Sequence, residues 1–288
     1  MEPEHPDPPP PIPAGVCRLC KRRPAKMTLE HIPPKSTGNR GRVRVQAFDG
    51  RSVDTYTTTI RDGVGFRVLC EKCNRRSGRR LGTAYGEFVK QVRLSAGIRL
   101  PRRHVYVRAE GVYRQRVIRQ LYLSFLALAR VDRSLDGLRA FVEEDGAPRP
   151  EDAPRIALFH NSSATFRVSP VGGLLSFVPG GWRWTGAEVI HPGLGAIFTY
   201  PDEDRPPAPV LDETVDVTGW SELDYRDRQD VEMWLPSKGV EYPHPLGFGS
   251  PKQVDRWSVR EHVIWTMAAD DGSGEVLGSS ASVLWRGR

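Results

Sequence analysis

The sequence predicts an α+β protein in which a small, strongly basic N-terminal unit is followed by a helix and a largely antiparallel, β-rich C-terminal region. Three observations carry this. The four cysteines fall as two Cys-x-x-Cys pairs, Cys17/Cys20 and Cys70/Cys73, that bracket a short segment. Residues 115–131 repeat their apolar side chains at helical spacing. From residue 155 onward, short runs of β-branched and aromatic residues recur between Gly and Pro punctuation, which is the pattern of sheet strands.

Composition sets the outer bounds. A chain of 288 residues with 39% hydrophobic content can bury a core and accommodates one large domain or two modest ones. No stretch approaches the roughly 18 consecutive apolar residues of a membrane span, and the opening lacks the basic start and apolar run of a signal peptide. The expectation is a cytoplasmic protein with no membrane partner. Residues 1–15 are instead rich in Pro and acidic, which suits a disordered, solvated tail in polyproline II conformation. The division that follows is 1–15 tail, 16–103 N-terminal unit and 104–288 accessory region.

Charge separates these parts sharply. Residues 1–103 hold 22 Lys and Arg against 9 Asp and Glu, whereas the remainder holds 20 against 26. The basicity therefore belongs to the N-terminal third, where it points to a polyanionic partner, most simply nucleic acid. Arginine supplies 35 of the 42 basic residues. That suits bidentate phosphate contacts, although a GC-rich genome produces the same excess through its codons.

The two cysteine pairs supply four thiolates, the full tetrahedral shell of a structural Zn²⁺, and a two-residue gap lets each pair grip the ion from one tight turn. Two disulfides are the alternative, but they do not persist in a reducing cytosol. Four thiolates leave no open position for water, so a metal held by Cys17, Cys20, Cys70 and Cys73 is structural rather than catalytic. It ties residue 17 to residue 73 and closes what lies between into one unit.

Within that unit each element has a local reason. Glu30 and His31 stand side by side in TLEHIPPKS (28–36), and Pro33 and Pro34 then forbid a helix and restrict the backbone to a bend. RVRVQAF (42–48) and DTYTTTI (54–60) alternate and are rich in β-branched residues, with Asp49-Gly50 between them, so they read as a hairpin. Gly65-Phe66-Arg67-Val68-Leu69 is a third short strand leading into Cys70. After Cys73 and Asn74, Leu81, Tyr85, Phe88, Val89 and Val92 recur at helical spacing, while glycines at 78, 82 and 86 weaken the early turns.

An acidic residue and His followed by Ile-x-Pro, framed by two Cys-x-x-Cys pairs with Asn directly after the last Cys, resembles the HNH endonuclease family in its zinc-stapled form. EHIPPKS, LCEKCNRRSG and LGTAYGEFVKQ carry the resemblance, which covers residues 17 to about 92. It implies a ββα-metal fold and hydrolysis of DNA phosphodiesters, with defence against foreign DNA as one employment. By the resemblance His31 is the general base, and Glu30 and Asn74 hold a catalytic divalent cation. Carboxylate and amide oxygens suit a hard Mg²⁺ or Mn²⁺, and a His of near-neutral pKa can take a proton at pH 7. Lys35, Arg75, Arg76, Arg79 and Arg80 flank the expected site as phosphate contacts. The sequence departs from the family in three respects. Asn39 is the only asparagine in the position of the middle Asn and stands close to His31; the interval from His31 to Asn74 is long; and the last ligand is a neutral amide. A zinc module that binds nucleic acid without cutting it, and a nuclease subunit active only inside a larger complex, are the alternative readings.

Beyond residue 103, HVYVRAEGVYR reads as strand and turn. Residues 115–131 place Val117, Ile118, Leu121, Phe125 and Leu128 on one face of a helix that packs on a sheet. A charged, Pro-bearing stretch from 143 to 155 reads as a long loop. RIALFH, ATFRVS, GAEVIH, LGAIFTY and VREHVIWTMAA read as strands. All seven tryptophans lie between Trp182 and Trp285 and read as core of this β-rich part, with a stacking surface for bases as the alternative. His104, His160, His191, His244 and His262 show no ligand spacing. The C-terminal region is left open to a homodimer contact or a protein partner.

Overall fold

The computed structural model describes residues 15–40, 43–48, 57–60, 65–95, 104–129, 135–162, 165–175, 183–199, 214–238 and 264–269. The tail at 1–14, the turn between the expected hairpin strands, and residues 259–263 of the last expected strand lie outside them, as do His244 and His262.

The chain is a mixed α+β fold, rich in sheet and with few helices. Strand β1 (Met27–His31) pairs antiparallel with β4 (Gly65–Cys70), joining Met27 to Cys70 and His31 to Gly65. A bulge shifts the register between Thr28 and Leu29. Gly65 is required there, because a Cβ would lie 2.6 Å from the Glu30 carbonyl oxygen. Helix α1 (Glu71–Ser77) starts directly from Cys70, passes through a π-helical turn at Gly78–Gly82, and continues as α2 (Thr83–Ser95). The helical period is borne out, since Leu81, Tyr85, Phe88, Val89 and Val92 are all buried.

Strands β2 (Val43–Phe48) and β3 (Thr57–Ile60) pair antiparallel, as the hairpin pattern predicts. They extend the large sheet rather than the two-stranded one, through β12 (Ile264–Ala269). The remaining strands are β5 (His104–Val112), β6 (Arg155–Asn161), β7 (Thr165–Leu175), β8 (Arg183–His191), β9 (Leu194–Thr199), β10 (Val215–Asp216) and β11 (Gln229–Lys238). Their order is β3-β2-β12-β7-β8-β9-β6-β11-β5, with β10 beside β6. Among the described pairings only β6 with β11 is parallel. The open edge of β5 is covered by α2, where Gln91 Nε2 donates to Glu110 O at 3.1 Å and Gln91 Oε1 accepts from Glu110 N at 2.6 Å.

Helix α3 (Arg114–Leu128) differs from its sequence reading. It is buried almost all round from Val117 to Leu128 instead of along one stripe. The sheet strands β7 and β8 pack on it, and so do α2 and α4 (Asp136–Glu143), a short helix the sequence pattern did not single out. The polar residues of its far side are therefore paired internally. Arg119 is fully buried and donates to Glu144 O at 2.6 Å and Asp145 O at 3.0 Å. The Pro-bearing stretch after α4 is a loop, held against α3 by Tyr122 Oη donating to Pro154 O at 2.7 Å. One contiguous apolar cluster runs from Cys17 and Leu19 through α2 and α3 to Leu235. Among the described residues no helix is long and apolar enough to cross a membrane.

Candidate metal centre and adjoining groups

Cys17 and Cys20 lie on a tight turn closed by Lys21 N donating to Cys17 O at 2.9 Å, with Lys21 in the left-handed region at φ 57°. Arg18 N donates to Val68 O at 2.8 Å, which sets this knuckle beside the end of β4. Cys70 and Cys73 occupy the start of α1, and Cys70 N donates to Cys17 Sγ at 3.3 Å. All four Sγ atoms lie within 4.8 Å of one another, with Cys20 and Cys70 sulfurs 3.9 Å apart. Tetrahedral Zn²⁺ with bonds of about 2.3 Å separates its sulfurs by about 3.8 Å, so the tetrad can hold a structural metal such as zinc. The thiols are free, with no disulfide among them. A hydrogen bond from the Cys73 thiol pulls the Cys17 thiol down to about 4, and the same contact, with burial, pushes Cys73 up. Loading a cation would strip the remaining protons and place four thiolates on it.

The knuckle is fastened to the end of α3 and to α4. Arg18 Nη1 donates to Ala129 O, Arg139 Nε donates to Arg18 O at 2.9 Å, and Lys21 pairs with Asp136 at 3.2 Å. A metal in the tetrad thus steadies β1, β4, α1 and the start of the C-terminal region together.

Glu30 and His31 close β1. Leu29 is 37% exposed and Glu30 only 7%, so the strand alternation persists up to Glu30. Asn74 Nδ2 donates to Thr28 Oγ1 at 3.0 Å and to Leu29 O at 2.8 Å. The Asn74 side chain of α1 is therefore moored on β1 at Thr28 and Leu29, the residues that precede Glu30, with its carbonyl Oδ1 making no hydrogen bond among the described residues. The Glu30 carboxyl has no hydrogen bond or ion pair among the described residues, and burial pushes it up to about 8. A carboxylate buried in this way is expensive unless a cation reaches it. His31 is half-buried at the strand end.

The turn beyond His31 is built to stay in place. Ile32, Pro33 and Pro34 are buried, and Lys35–Thr37 forms a 3-10 turn. Asn39 is fully buried and its Nδ2 donates to Pro33 O at 2.6 Å, so it pins this turn. Ser36 Oγ donates to Gly82 O at 2.8 Å. Lys35 is half-buried, and its carbonyl accepts from Arg40 Nε at 3.0 Å.

The four arginines of the helix differ in their surroundings. Arg75 pairs with Glu71, and Arg79 is exposed with no ion pair among the described residues. Arg76 Nη2 donates to Glu143 O. Arg80 Nη2 donates to both Asp145 oxygens, at 2.8 and 2.6 Å, with its guanidinium 4.9 Å from the Tyr225 ring centre. Sequence reasoning did not find these partners; the only signal was the acidic run Glu143-Glu144-Asp145.

The remaining histidines and tryptophans differ in their surroundings. His191 is fully buried against Tyr85, Nε2 to Oη 2.9 Å, and burial holds it down to about 3. His160 bonds Ser237 Oγ at 2.9 Å, and His104 is exposed. Trp220 packs edge-on against Phe88, whereas Trp234 is 53% exposed beside Tyr106 and is not core. Comparison with family models, with curated proteins and with solved structures returns no match for this chain.

Proposed function

We propose that the chain is a metal-dependent endonuclease of the HNH type that hydrolyses DNA phosphodiester bonds. One observation carries the reading: Asn74, at the start of the helix that follows the cysteine-clamped strand pair, is hydrogen-bonded onto β1 at Thr28 and Leu29, next in the strand to Glu30, a buried carboxyl with no ion pair among the described residues. The order of antiparallel strand, antiparallel strand and helix, with four clustered thiols at its base, supports the ββα-metal reading. Glu30 and Asn74 would hold the divalent cation. Bound there, Mg²⁺ or Mn²⁺ would withdraw charge from a phosphate oxygen and from the leaving 3′ oxygen. His31 takes the proton of the attacking water as its oxygen bonds to phosphorus and the bond to the 3′ oxygen breaks. Lys35, Arg75 and Arg79 contact flanking phosphates.

The test is plasmid cleavage by purified protein with Mg²⁺ or Mn²⁺. Wild type should nick or linearise the plasmid, and His31→Ala should lose at least about 100-fold of that rate, the usual worth of a general base, with an unchanged melting temperature. Cleavage by His31→Ala at the wild-type rate, or none by wild type with either ion, would defeat the proposal.

A further inference from the structure

The acidic run that follows α4 lies against the basic helix expected to meet nucleic acid. Two elements 65 or more residues apart in sequence meet there. The C-terminal end of α4, where helix carbonyls carry partial negative charge, presents Glu143 O to Arg76. Asp145 follows with a carboxylate on Arg80. Arg119, from the buried side, anchors the carbonyls of Glu144 and Asp145 and so holds the turn in shape. Oxygen acceptors are thus set along the helix at Arg76 and Arg80, one turn apart, as successive phosphates would set them.

We infer that the Glu143–Glu144–Asp145 turn is an internal phosphate mimic, which occupies Arg76 and Arg80 until the phosphates of a nucleic-acid strand displace it. The partner's identity rests on the nuclease reading above; the displacement does not. Two features favour exchange over a permanent tie. The Arg80 and Asp145 side chains are 37% and 42% exposed, and ion pairs at such exposure are weak. A polyanion that takes the same arginine also gains the entropy of released counterions, which a single carboxylate cannot match. The seam is also imperfectly packed. A cavity of about 20 Å³ lies in it, lined by Leu19, Cys73, Arg76, Arg80, Val142 and Tyr225 among others. Lys72 and Arg79, which make no ion pair among the described residues, line an open groove with Arg76, Arg80 and the Glu71–Arg75 pair, so an arriving strand meets two uncommitted cations first.

The experiment compares wild type with Asp145→Asn, and with Glu87→Gln as a control that removes one exposed negative charge from α2. Binding of a labelled DNA duplex and of inorganic tripolyphosphate is measured without added divalent ions. Asp145→Asn should tighten both about three- to tenfold at low salt, with the slope of log affinity against log salt unchanged, because phosphates reach Arg80 in both proteins and only the cost of displacing the carboxylate is removed. Glu87→Gln should change either by less than about twofold, as expected of a screened charge beyond contact range. Equal or weaker binding by Asp145→Asn than by the control overturns the mimic. Should Asp145→Asn not fold, amide exchange in wild type decides. Saturating tripolyphosphate should speed exchange at Glu144 and Ala147, and unchanged exchange at saturation overturns the mimic. Tripolyphosphate that opens the turn while DNA does not bind removes the nuclease reading and keeps the mimic. DNA binding that Asp145→Asn leaves unaltered does the reverse.

Discussion

Gly78 and Gly86 stand in the same long helical run, yet alanine should act on them in opposite directions. At Gly86 a Cβ would lie 2.4 Å from Ser36 Cβ and 2.5 Å from Ser36 Oγ. Carbon atoms pack at about 3.5–4.0 Å, so the turn at 35–37 must retreat by roughly 1 Å. That retreat breaks the 2.8 Å bond from Ser36 Oγ to Gly82 O. Overpacking of this kind costs about 1–3 kcal/mol and the lost bond about 1 kcal/mol, against a helix-propensity gain of up to about 1 kcal/mol. The expected net loss is about 1–3 kcal/mol, or a melting point lower by several degrees, at about 2–4 °C per kcal/mol for a chain of this size. At Gly78 nothing lies within 4 Å and φ is −59°, so Gly78→Ala should gain about 0.5–1 kcal/mol. Calorimetry at pH 7.5 reads both. Ser36→Gly should rescue Gly86→Ala, because it removes both clashing atoms. Gly86→Ala melting at or above wild type, or a double variant no better than the sum of the two, would refute the packing account.

Three further outcomes are expected. Cys73→Ser, or prolonged chelation, should release one zinc per chain and unfold the N-terminal unit, read as loss of the cooperative melt, because the tetrad closes a long loop; a zinc-free Cys73→Ser protein with the wild-type melt contradicts this. His191 sits fully buried with its folded value near 3 and an ordinary value of 6.5, so the unfolded chain binds its proton first. Stability should be complete above about pH 6.5 and fall by up to about 1.4 kcal/mol per pH unit as the pH drops towards 3. Urea midpoints of His191→Gln against pH should lack that component, and parallel curves would refute the assignment. Glu30→Gln should leave the metal-free melting temperature no lower than wild type, since a buried carboxyl that makes no hydrogen bond or ion pair among the described residues contributes nothing. Mn²⁺ should raise the melt of wild type but not of Glu30→Gln; equal rises would place the ion elsewhere.

The sequence by itself determined what depends on near neighbours. The two Cys-x-x-Cys turns, the spacing of Leu81, Tyr85, Phe88, Val89 and Val92, the strand character of 65–69 and 155–160, and the α+β class all follow from patterns a few residues long. Elements with weaker local patterns escaped it: α4 is only eight residues with a glycine in its first turn, and β11 carries Pro236 and several charges. Helix α3 looked one-sided because Arg119 and Gln120 interrupt its apolar residues, and only packing shows that Arg119 is fed by the carbonyls of Glu144 and Asp145. The same holds for the glycines, alike in sequence, of which only Gly86 has a turn pressed against it. Tertiary structure also decided that Asn74 moors on β1 at Thr28 and Leu29, and that Asp145 and Tyr225 share Arg80. The physical reason is one of range. Propensity and periodicity act through the backbone over a turn or two, whereas the pairing of one buried or charged group with another depends on which distant surfaces the core brings together.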